Sequence, residues 1–174
     1  LGFVERVEFR QAAPGISGSD AVLPQGMNIA NIYLEWRNTF YWDKHAYQQA
    51  AGDYTKAYLT HWFHKDFGVA ARSVESVKPA LERRIWFDTP GSRPYFTGTH
   101  DVPSAIGRVL DDGTTQLSRI AYNATGNVQG VTDPLGRQTT YEYDATATDI
   151  TTIRQKTSAS ESSVLAQFTY NSQH

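Results

Sequence analysis

Residues 120–144, IAYNATGNVQGVTDPLGRQTTYEYD, decide how this chain folds. The stretch holds two turn signals, TGN at 125–127 and DPLG at 133–136, because proline presets φ for a turn and glycine supplies backbone freedom at its end. Residues 128–131 and 138–143 are short and rich in Val, Thr or Tyr, which favours strands. The stretch therefore predicts a unit of strand, tight turn, strand, tight turn and strand.

The end of that unit recurs along the chain as an apolar or aromatic residue, any residue, an aromatic residue and then Asp or Asn. Two large side chains two positions apart lie on one face of a strand, and the Asp or Asn starts a turn by bonding nearby backbone N–H groups. A recurring unit of this size is typical of a repeat architecture. The copies are residues 40–43 (FYWD), 85–88 (IWFD), 120–123 (IAYN), 141–144 (YEYD) and 168–171 (FTYN).

Three strings within this stretch, YNATGN at 122–127, DPLGR at 133–137 and YEYD at 141–144, resemble the tyrosine–aspartate (YD) repeat of the rearrangement-hotspot (RHS) family. Asn123 stands where the repeat usually has Asp. The resemblance implies an all-β fold of consecutive antiparallel β-hairpins that form a curved sheet, part of a larger spiral β-shell. It also implies a structural role for the residues that close each repeat.

We expect one repeat segment over residues 1–174, degenerate and with long loops in 1–105 and clearest in 106–174. The residues expected to build the repeats are the aromatics, the Asp or Asn residues that follow them, and the turn glycines. They are Trp42, Asp43, Phe87, Asp88, Tyr122, Asn123, Gly126, Asp133, Gly136, Tyr141, Tyr143, Asp144, Tyr170 and Asn171.

Strands are also predicted outside the repeats. Residues 3–9 alternate in period two, residues 31–43 predict an aromatic strand pair, and residues 54–64 alternate again. A helix over residues 43–57 is disfavoured, because its apolar residues do not hold helical spacing and Gly52 interrupts it. The alternation in 54–64 puts Ala57, Leu59, His61 and Phe63 on one strand face, and Tyr58, Thr60, Trp62 and His64 on the other. Further predicted strands are 71–78, 81–87, 144–156 and 164–170, with a hairpin turn at 111–113 (DDG).

Composition limits the classes of partner. Sixteen basic and eighteen acidic residues give a formal net charge of −2, with no basic patch of the kind that nucleic acid requires. The absence of cysteine excludes disulfides and thiolate chemistry. No apolar run is long enough to cross a bilayer.

Candidate catalytic and metal sites are weak. His61 and His64 are three residues apart, so on a strand they are expected to point to opposite faces and not to share a metal ion. Asp111 and Asp112 precede Gly113 in a turn, where Asp is common for conformational reasons. No pair of carboxylates suited to glycoside hydrolysis can be identified. The chain is therefore expected to have no catalytic residues, cofactor or metal, and not to be an enzyme.

The resemblance implies a structural wall that encloses a C-terminal toxin or effector, or one that makes contacts at a cell surface. Expected partners are neighbouring RHS repeats of the same longer chain, with an enclosed effector or a cell-surface glycan. The expected location is secreted or cell-surface, with the export signal outside this chain. The alternative is a carbohydrate-binding or adhesive β domain that uses exposed Trp and Tyr. Burial of Trp42, Trp62 and Trp86 would remove the platform that this alternative needs.

Overall fold

The computed structural model describes residues 4–171, and the chain forms two compact units, Leu1–Gln116 and Leu117–His174. The predicted all-β antiparallel fold is confirmed, with each unit built of strands that pair with their neighbours in sequence. The first unit contains β1 (Arg6–Ala12), β2 (Trp36–Trp42), α1 (Lys44–Ala50), β3 (Tyr58–Asp66), β4 (Val69–Lys78), β5 (Ile85–Asp88) and β6 (Ala105–Val109). β7 (Thr115–Tyr122) runs into the second unit, which continues with β8 (Val128–Thr132), β9 (Gln138–Tyr143), β10 (Ile150–Lys156) and β11 (Ser162–Gln167).

The first unit has its core on one face of its sheet. Phe40 on β2 lies opposite Leu59 on β3, and the Phe40 ring stacks on Trp42 with centroids 5.9 Å apart. The predicted alternation holds for residues 57–63, because Ala57, Leu59, His61 and Phe63 are all buried and the residues between them are more exposed. The hydrophobic cluster on this face consists of Ala13, Phe40, Trp42, Ala57 and Leu59, with Ile16, Ala46, Tyr47 and Tyr54 packed against it.

The prediction against a helix in 43–57 is wrong for α1. Asp43 caps the helix, and its side chain accepts a hydrogen bond from the N–H of Ala46 at 2.8 Å. Tyr47 packs against Trp42 with ring centroids 6.2 Å apart. A cap and one aromatic contact thus hold a two-turn helix whose apolar spacing alone is too irregular to predict it. Residues Tyr54–Lys56 then form a 3-10 turn.

Several strand predictions need correction. The strand predicted over 144–156 begins only at Ile150, because a turn closed by Asp144 occupies residues 144–149. The stretch 31–43 contains one strand rather than two, because a turn with Tyr33 at φ 61° and a Trp36 N–H to Tyr33 C=O bond precedes β2. The strand predicted over 81–87 begins only at Ile85. The last predicted strand, 164–170, ends at Gln167, so its YD-like box lies beyond the strand. Phe3, at the start of the first predicted strand, lies outside the described residues.

The second unit is a thin antiparallel sheet. β7 to β11 pair in sequence order, and residues 157–161 connect β10 to β11. Among its described residues, 117–171, only Thr152 is buried. Its strands therefore leave both faces partly open to solvent. Within residues 4–171 no helix is long and apolar enough to cross a membrane.

Candidate functional site

The hairpin turns of the second unit share one design, in which an Asx side chain closes its own loop. In the first turn, the C=O of Asn123 accepts from the N–H of Gly126 at 3.0 Å. Asn123 Oδ1 also accepts from the N–H groups of Thr125 at 3.1 Å and Asn127 at 2.9 Å. One side-chain oxygen thus accepts the hydrogen bonds that the backbone N–H groups of this tight loop would otherwise donate to water.

The next two turns repeat this arrangement. Asp133 Oδ1 accepts from the N–H groups of Leu135 and Arg137, both at 2.9 Å. Asp144 Oδ1 accepts from the N–H groups of Thr148 at 2.9 Å and Asp149 at 3.1 Å. The hydroxyl of Thr146 donates to Asp144 Oδ2, and together with these N–H groups it lowers the pKa of Asp144 to about 2. The Asp144 carboxylate is therefore ionised at any pH well above about 2.

Each of these turns also needs a residue in the left-handed backbone region. Gly126 at φ 88° and Gly136 at φ 81° supply it in the first two turns. Ala147 at φ 58° takes the same conformation in the third turn, where a Cβ makes it less favourable. The third turn is also one residue longer, since Asp144 N–H bonds the C=O of Asp149.

The closing tyrosines of the repeats hold earlier strands through their hydroxyls. Tyr143 donates to the C=O of Val128 at 2.7 Å, and Tyr170 donates to the C=O of Ile150 at 2.8 Å. Val128 and Ile150 are the first residues of β8 and β10. Both tyrosines thus tie the end of one repeat to the start of an earlier strand, although Tyr170 itself lies beyond β11. The other aromatics, Tyr122 and Tyr141, are half-buried, and Asn171 is exposed.

In the first unit the YD-like boxes are used differently. Trp42 is fully buried, and Asp43 caps α1 instead of starting a hairpin turn. Phe87 is half-buried on β5, and Asp88 accepts a hydrogen bond from the hydroxyl of Ser92 at the start of a long loop. Boxes of the same residue types therefore end in a helix and a long loop here.

A buried charged cluster lies on the core side of the first unit, and the sequence analysis did not predict it. Its centre is Arg37, which is 1% exposed and sits at φ 55° on β2. The Arg37 guanidinium donates to the Trp62 C=O at 2.9 Å, to His64 Nε2 at 2.6 Å and to His61 Nε2 at 3.3 Å. The expectation that the two histidines point apart is therefore wrong, because β3 and β4 are out of regular register here and both rings reach one guanidinium.

The contacts with Arg37 favour one tautomer at both histidines. Arginine can only donate, so each Nε2 accepts and each proton is on Nδ1. His61 Nδ1–H then donates to Asn38 Oδ1 at 2.9 Å, and His64 Nδ1–H donates to the C=O of Asp66 at 3.1 Å. Burial lowers the pKa of His61, and the positive charge of Arg37 lowers it further against the opposing pull of Glu75. Burial and Arg37 likewise lower the pKa of His64. Both rings are neutral near pH 7.

Glu75 supplies the negative charge of the cluster and is 1% exposed. Its Oε2 lies 3.6 Å from Arg37 and 3.2 Å from His61 Nε2, yet neither carboxylate oxygen has an aligned hydrogen bond. A second buried arginine, Arg84, donates to the hydroxyl of Ser76 at 2.8 Å. The charges are closed off from solvent and hold β2, β3 and β4 together.

No group of three or more His, Cys, Asp or Glu side chains within residues 4–171 could hold a metal ion. The acidic pair at Asp111 and Asp112 lies in a turn, as its sequence predicts, with the Leu110 N–H bonding the Thr114 C=O. Asp112 Oδ1 accepts from the N–H of Thr114 at 2.9 Å and from its hydroxyl at 2.6 Å. This aspartate is a turn residue of the kind seen in the repeats.

Burial of the tryptophans bears on the glycan-binding alternative. Trp42 and Trp86 are 0% exposed. Trp62 is half-buried, and its Nε1–H donates to the hydroxyl of Thr39 at 2.9 Å. Trp36 is 40% exposed. Two of the three rings needed as a sugar platform are therefore inside the protein.

The opposite side of the first unit's sheet, which we call the open face, carries apolar side chains that remain accessible. Directly paired residues share a sheet face, and one row of pairs crosses the strands β1 to β6. The rows of the open face are Phe9–Thr39–Thr60–Val77–Ile85–Arg108, Val7–Tyr41–Tyr58, Trp62–Val74 and Phe87–Ile106.

Comparison with known families agrees with the geometry of the turns. Residues 122–154 match the family model described as RHS Repeat. The matched range includes the three Asx turns, the glycines at 126 and 136, and the Tyr143 hydrogen bond. The resemblance inferred from residues 122–144 is thereby confirmed. No significant match to a curated protein was found.

Proposed function

The chain carries an RHS repeat over residues 122–154, and from that premise we propose that it is a non-catalytic segment of a larger β-shell wall. In this proposal the repeats form a curved, spiral sheet with neighbouring RHS repeats of the same longer protein. The wall encloses a C-terminal toxin or effector segment, or it makes contacts at a cell surface. The protein is accordingly secreted or displayed at the surface.

The thinness of the second unit carries this proposal. Its strands and turns are regularly hydrogen-bonded, yet among residues 117–171 only Thr152 is buried. A sheet that encloses no core of its own gains stability when neighbouring units cover it, which is how repeat arrays are built. A single sheet also spreads the greatest area for its mass, as a wall requires.

The edge strands support the proposed partners. Among the described residues β1 pairs only with β2, and β11 pairs only with β10. β11 is exposed along nearly its whole length, with Val164 and Leu165 at 45% and 57% exposure. An exposed strand edge is a template for another strand. Further repeats of the same protein are the natural occupants of these edges.

The non-catalytic role is supported by where the acidic side chains lie. Glu75 is sealed in the charged cluster, and Asp112, Asp133 and Asp144 bond backbone N–H groups in turns. Each of these carboxylates has a structural partner or is closed off from solvent. The proposal therefore assigns a catalytic role to none of these four carboxylates.

The test is protease protection in the natural full-length protein that contains this chain. If the wall encloses a segment, that segment resists protease in the intact protein and is cut after Tyr143→Ala and Tyr170→Ala loosen the wall. Digestion at equal rates in both proteins would contradict enclosure. A glycan array with the same protein tests the alternative. Glycan binding that is lost in Trp36→Ala or Trp62→Ala would favour an adhesive domain over the proposed wall.

A further inference from the structure

We propose that the open face of the first unit docks a polypeptide segment with apolar side chains and a carboxylate, and that the carboxylate pairs with Arg72. The inference rests on the proposed function in taking the partner of the wall to be a polypeptide. It goes further by identifying which face receives the segment and the chemistry that selects it.

The apolar character of the open face is the first observation. Val7 and Phe9 on β1 are 68% and 51% exposed, and Tyr41 and Tyr58 are 39% and 40% exposed. Their pairing puts Val7, Tyr41 and Tyr58 in one row across three adjacent strands. Accessible aromatic and branched side chains that are contiguous, rather than scattered, mark an interaction surface.

The charge on this face is the second observation. A shallow groove of about 350 Å³ is lined by Phe9, Thr39, Trp62, Ala70, Ala71 and Arg72, and Arg72 is the charged residue among these described lining residues. Arg72 also lines a second groove of about 280 Å³, where Asp101 is the one acidic side chain. No side-chain hydrogen bond or ion pair joins the Arg72 guanidinium to any other described residue. The guanidinium is exposed, with its donors available to a carboxylate in bidentate geometry.

The combination favours a polypeptide over other occupants. A sugar site needs several converging polar groups, whereas the first groove offers one hydroxyl, from Thr39, which already accepts from Trp62. An anionic membrane surface is held by clusters of basic residues, whereas the rows of the open face and its grooves carry two arginines. The second arginine, Arg108, donates to Gln116 Oε1 at 2.9 Å. One available cation among aromatic and aliphatic side chains suits an apolar segment with an acidic residue.

The test uses the 174-residue chain and two short synthetic peptides. One peptide is rich in phenylalanine, leucine and glutamate, and the other has lysine in place of each glutamate. Calorimetric titration is expected to give the acidic peptide a Kd about tenfold lower, since one ion pair next to apolar contacts is worth roughly that factor. Arg72→Glu is expected to remove or reverse this preference. Phe9→Ser is expected to weaken the binding of both peptides.

Lys44→Glu is the matched control, because it makes the same charge change on α1, which packs on the core side of the sheet. It is expected to leave the preference unchanged, and circular dichroism verifies that every variant is folded. The inference is overturned if neither peptide binds, or if the preference survives in Arg72→Glu. It is also overturned if oligosaccharides or anionic vesicles bind in an Arg72-dependent way and the peptides do not. Protease protection of the enclosed segment with no peptide preference would contradict this inference alone. Peptide selectivity without protease protection would contradict the proposed enclosing wall.

Discussion

At the scale of single residues, the Tyr143 hydroxyl allows the repeat to be tested one atom at a time. Tyr143→Phe removes the donor to the Val128 C=O and is expected to lower the free energy of unfolding by about 1 kcal/mol, the usual worth of one hydrogen bond. Tyr143→Ala removes ring packing as well and is expected to cost more. Urea unfolding followed by circular dichroism measures both.

The control for this prediction is two residues away on the same strand. Tyr141 is also half-buried on β9, and within the described part of the chain no hydrogen bond involves its hydroxyl. Tyr141→Phe is expected to leave the urea midpoint nearly unchanged. Equal losses from both substitutions would show that the Tyr143 hydroxyl has no special role.

The buried histidines make the stability of the first unit depend on pH. The folded-state pKa values of His61 and His64 lie below the ordinary value of 6.5, because the rings are buried beside Arg37, with Arg84 adding positive charge at His61. The unfolded chain therefore binds protons that the folded chain does not once the pH falls below about 6.5. Their contribution to stability is complete above that pH and is lost as the solution is acidified.

Urea midpoints measured by tryptophan fluorescence at about pH 7.5 and about pH 5 test this pH dependence. The wild-type midpoint is expected to fall on acidification. In the His61→Gln, His64→Gln double variant the fall is expected to be much smaller, even though the variant starts from lower stability. The same fall in both proteins would assign the pH dependence to other groups.

At the scale of elements, substitutions of glycine can show whether a position needs glycine for its backbone conformation or for lack of space. At Gly136, with φ 81°, a Cβ would meet nothing within 4 Å, so the whole cost of a side chain is the left-handed backbone. Gly136→Ala is expected to cost about 1 kcal/mol in urea unfolding. Gly130→Ala is the control, because Gly130 lies in β8 and the nearest atom to its Cβ would be the Thr139 C=O oxygen at 3.6 Å. A loss at Gly130 as large as that at Gly136 would contradict this account.

In the third turn, a substitution is expected to raise the free energy of unfolding rather than lower it. Ala147 occupies the left-handed position at φ 58° that glycine fills in the other two turns. Ala147→Gly is expected to raise the free energy of unfolding by up to about 1 kcal/mol, because the steric penalty of the Cβ disappears while the unfolded chain becomes somewhat more flexible. A thermal melt provides the measurement. A lower melting temperature would mean that the flexibility gained by the unfolded chain is the larger effect.

The elements that the sequence could predict are those whose signals are local. The turns at 125–127 and 133–136 follow from Pro134 and from the glycines at 126 and 136, and the burial of His61 follows from strand alternation. α1 is not predicted by periodicity, because its stability comes from the Asp43 cap and a contact between Tyr47 and Trp42.

The charged cluster could not be predicted for a different reason. Arg37, His61 and Glu75 come from three strands and meet only because of how those strands pair, with a register shift between His61 and Trp62. A left-handed conformation at an arginine has no signal in residue type either. The open face can likewise be predicted only in part from the sequence. Alternation predicts two apolar sides for β3, but which side becomes covered depends on α1 and on the loop before β2.

At the scale of the whole chain, the two units differ in how many side chains each buries. Backbone amides in the β7–β11 sheet are expected to exchange hydrogen for deuterium faster than those of β2 and β3, because only Thr152 is buried among the described residues 117–171. Hydrogen-exchange mass spectrometry measures the amide exchange rates of both sheets in one experiment. Equal protection in the two sheets would mean that the thin sheet is stable without further repeats to cover it.

The Asx turns also bear on how such a sequence can change over evolutionary time. In the turns at Asn123 and Asp133 one oxygen reaches the fourth residue onward, and at Asp144 the same oxygen reaches both the fourth and the fifth. Gain or loss of a codon inside such a loop therefore leaves its anchor in place. Loop-length drift in related genes is expected to concentrate just after the acidic or amide residue, while spacing within the strands stays constant.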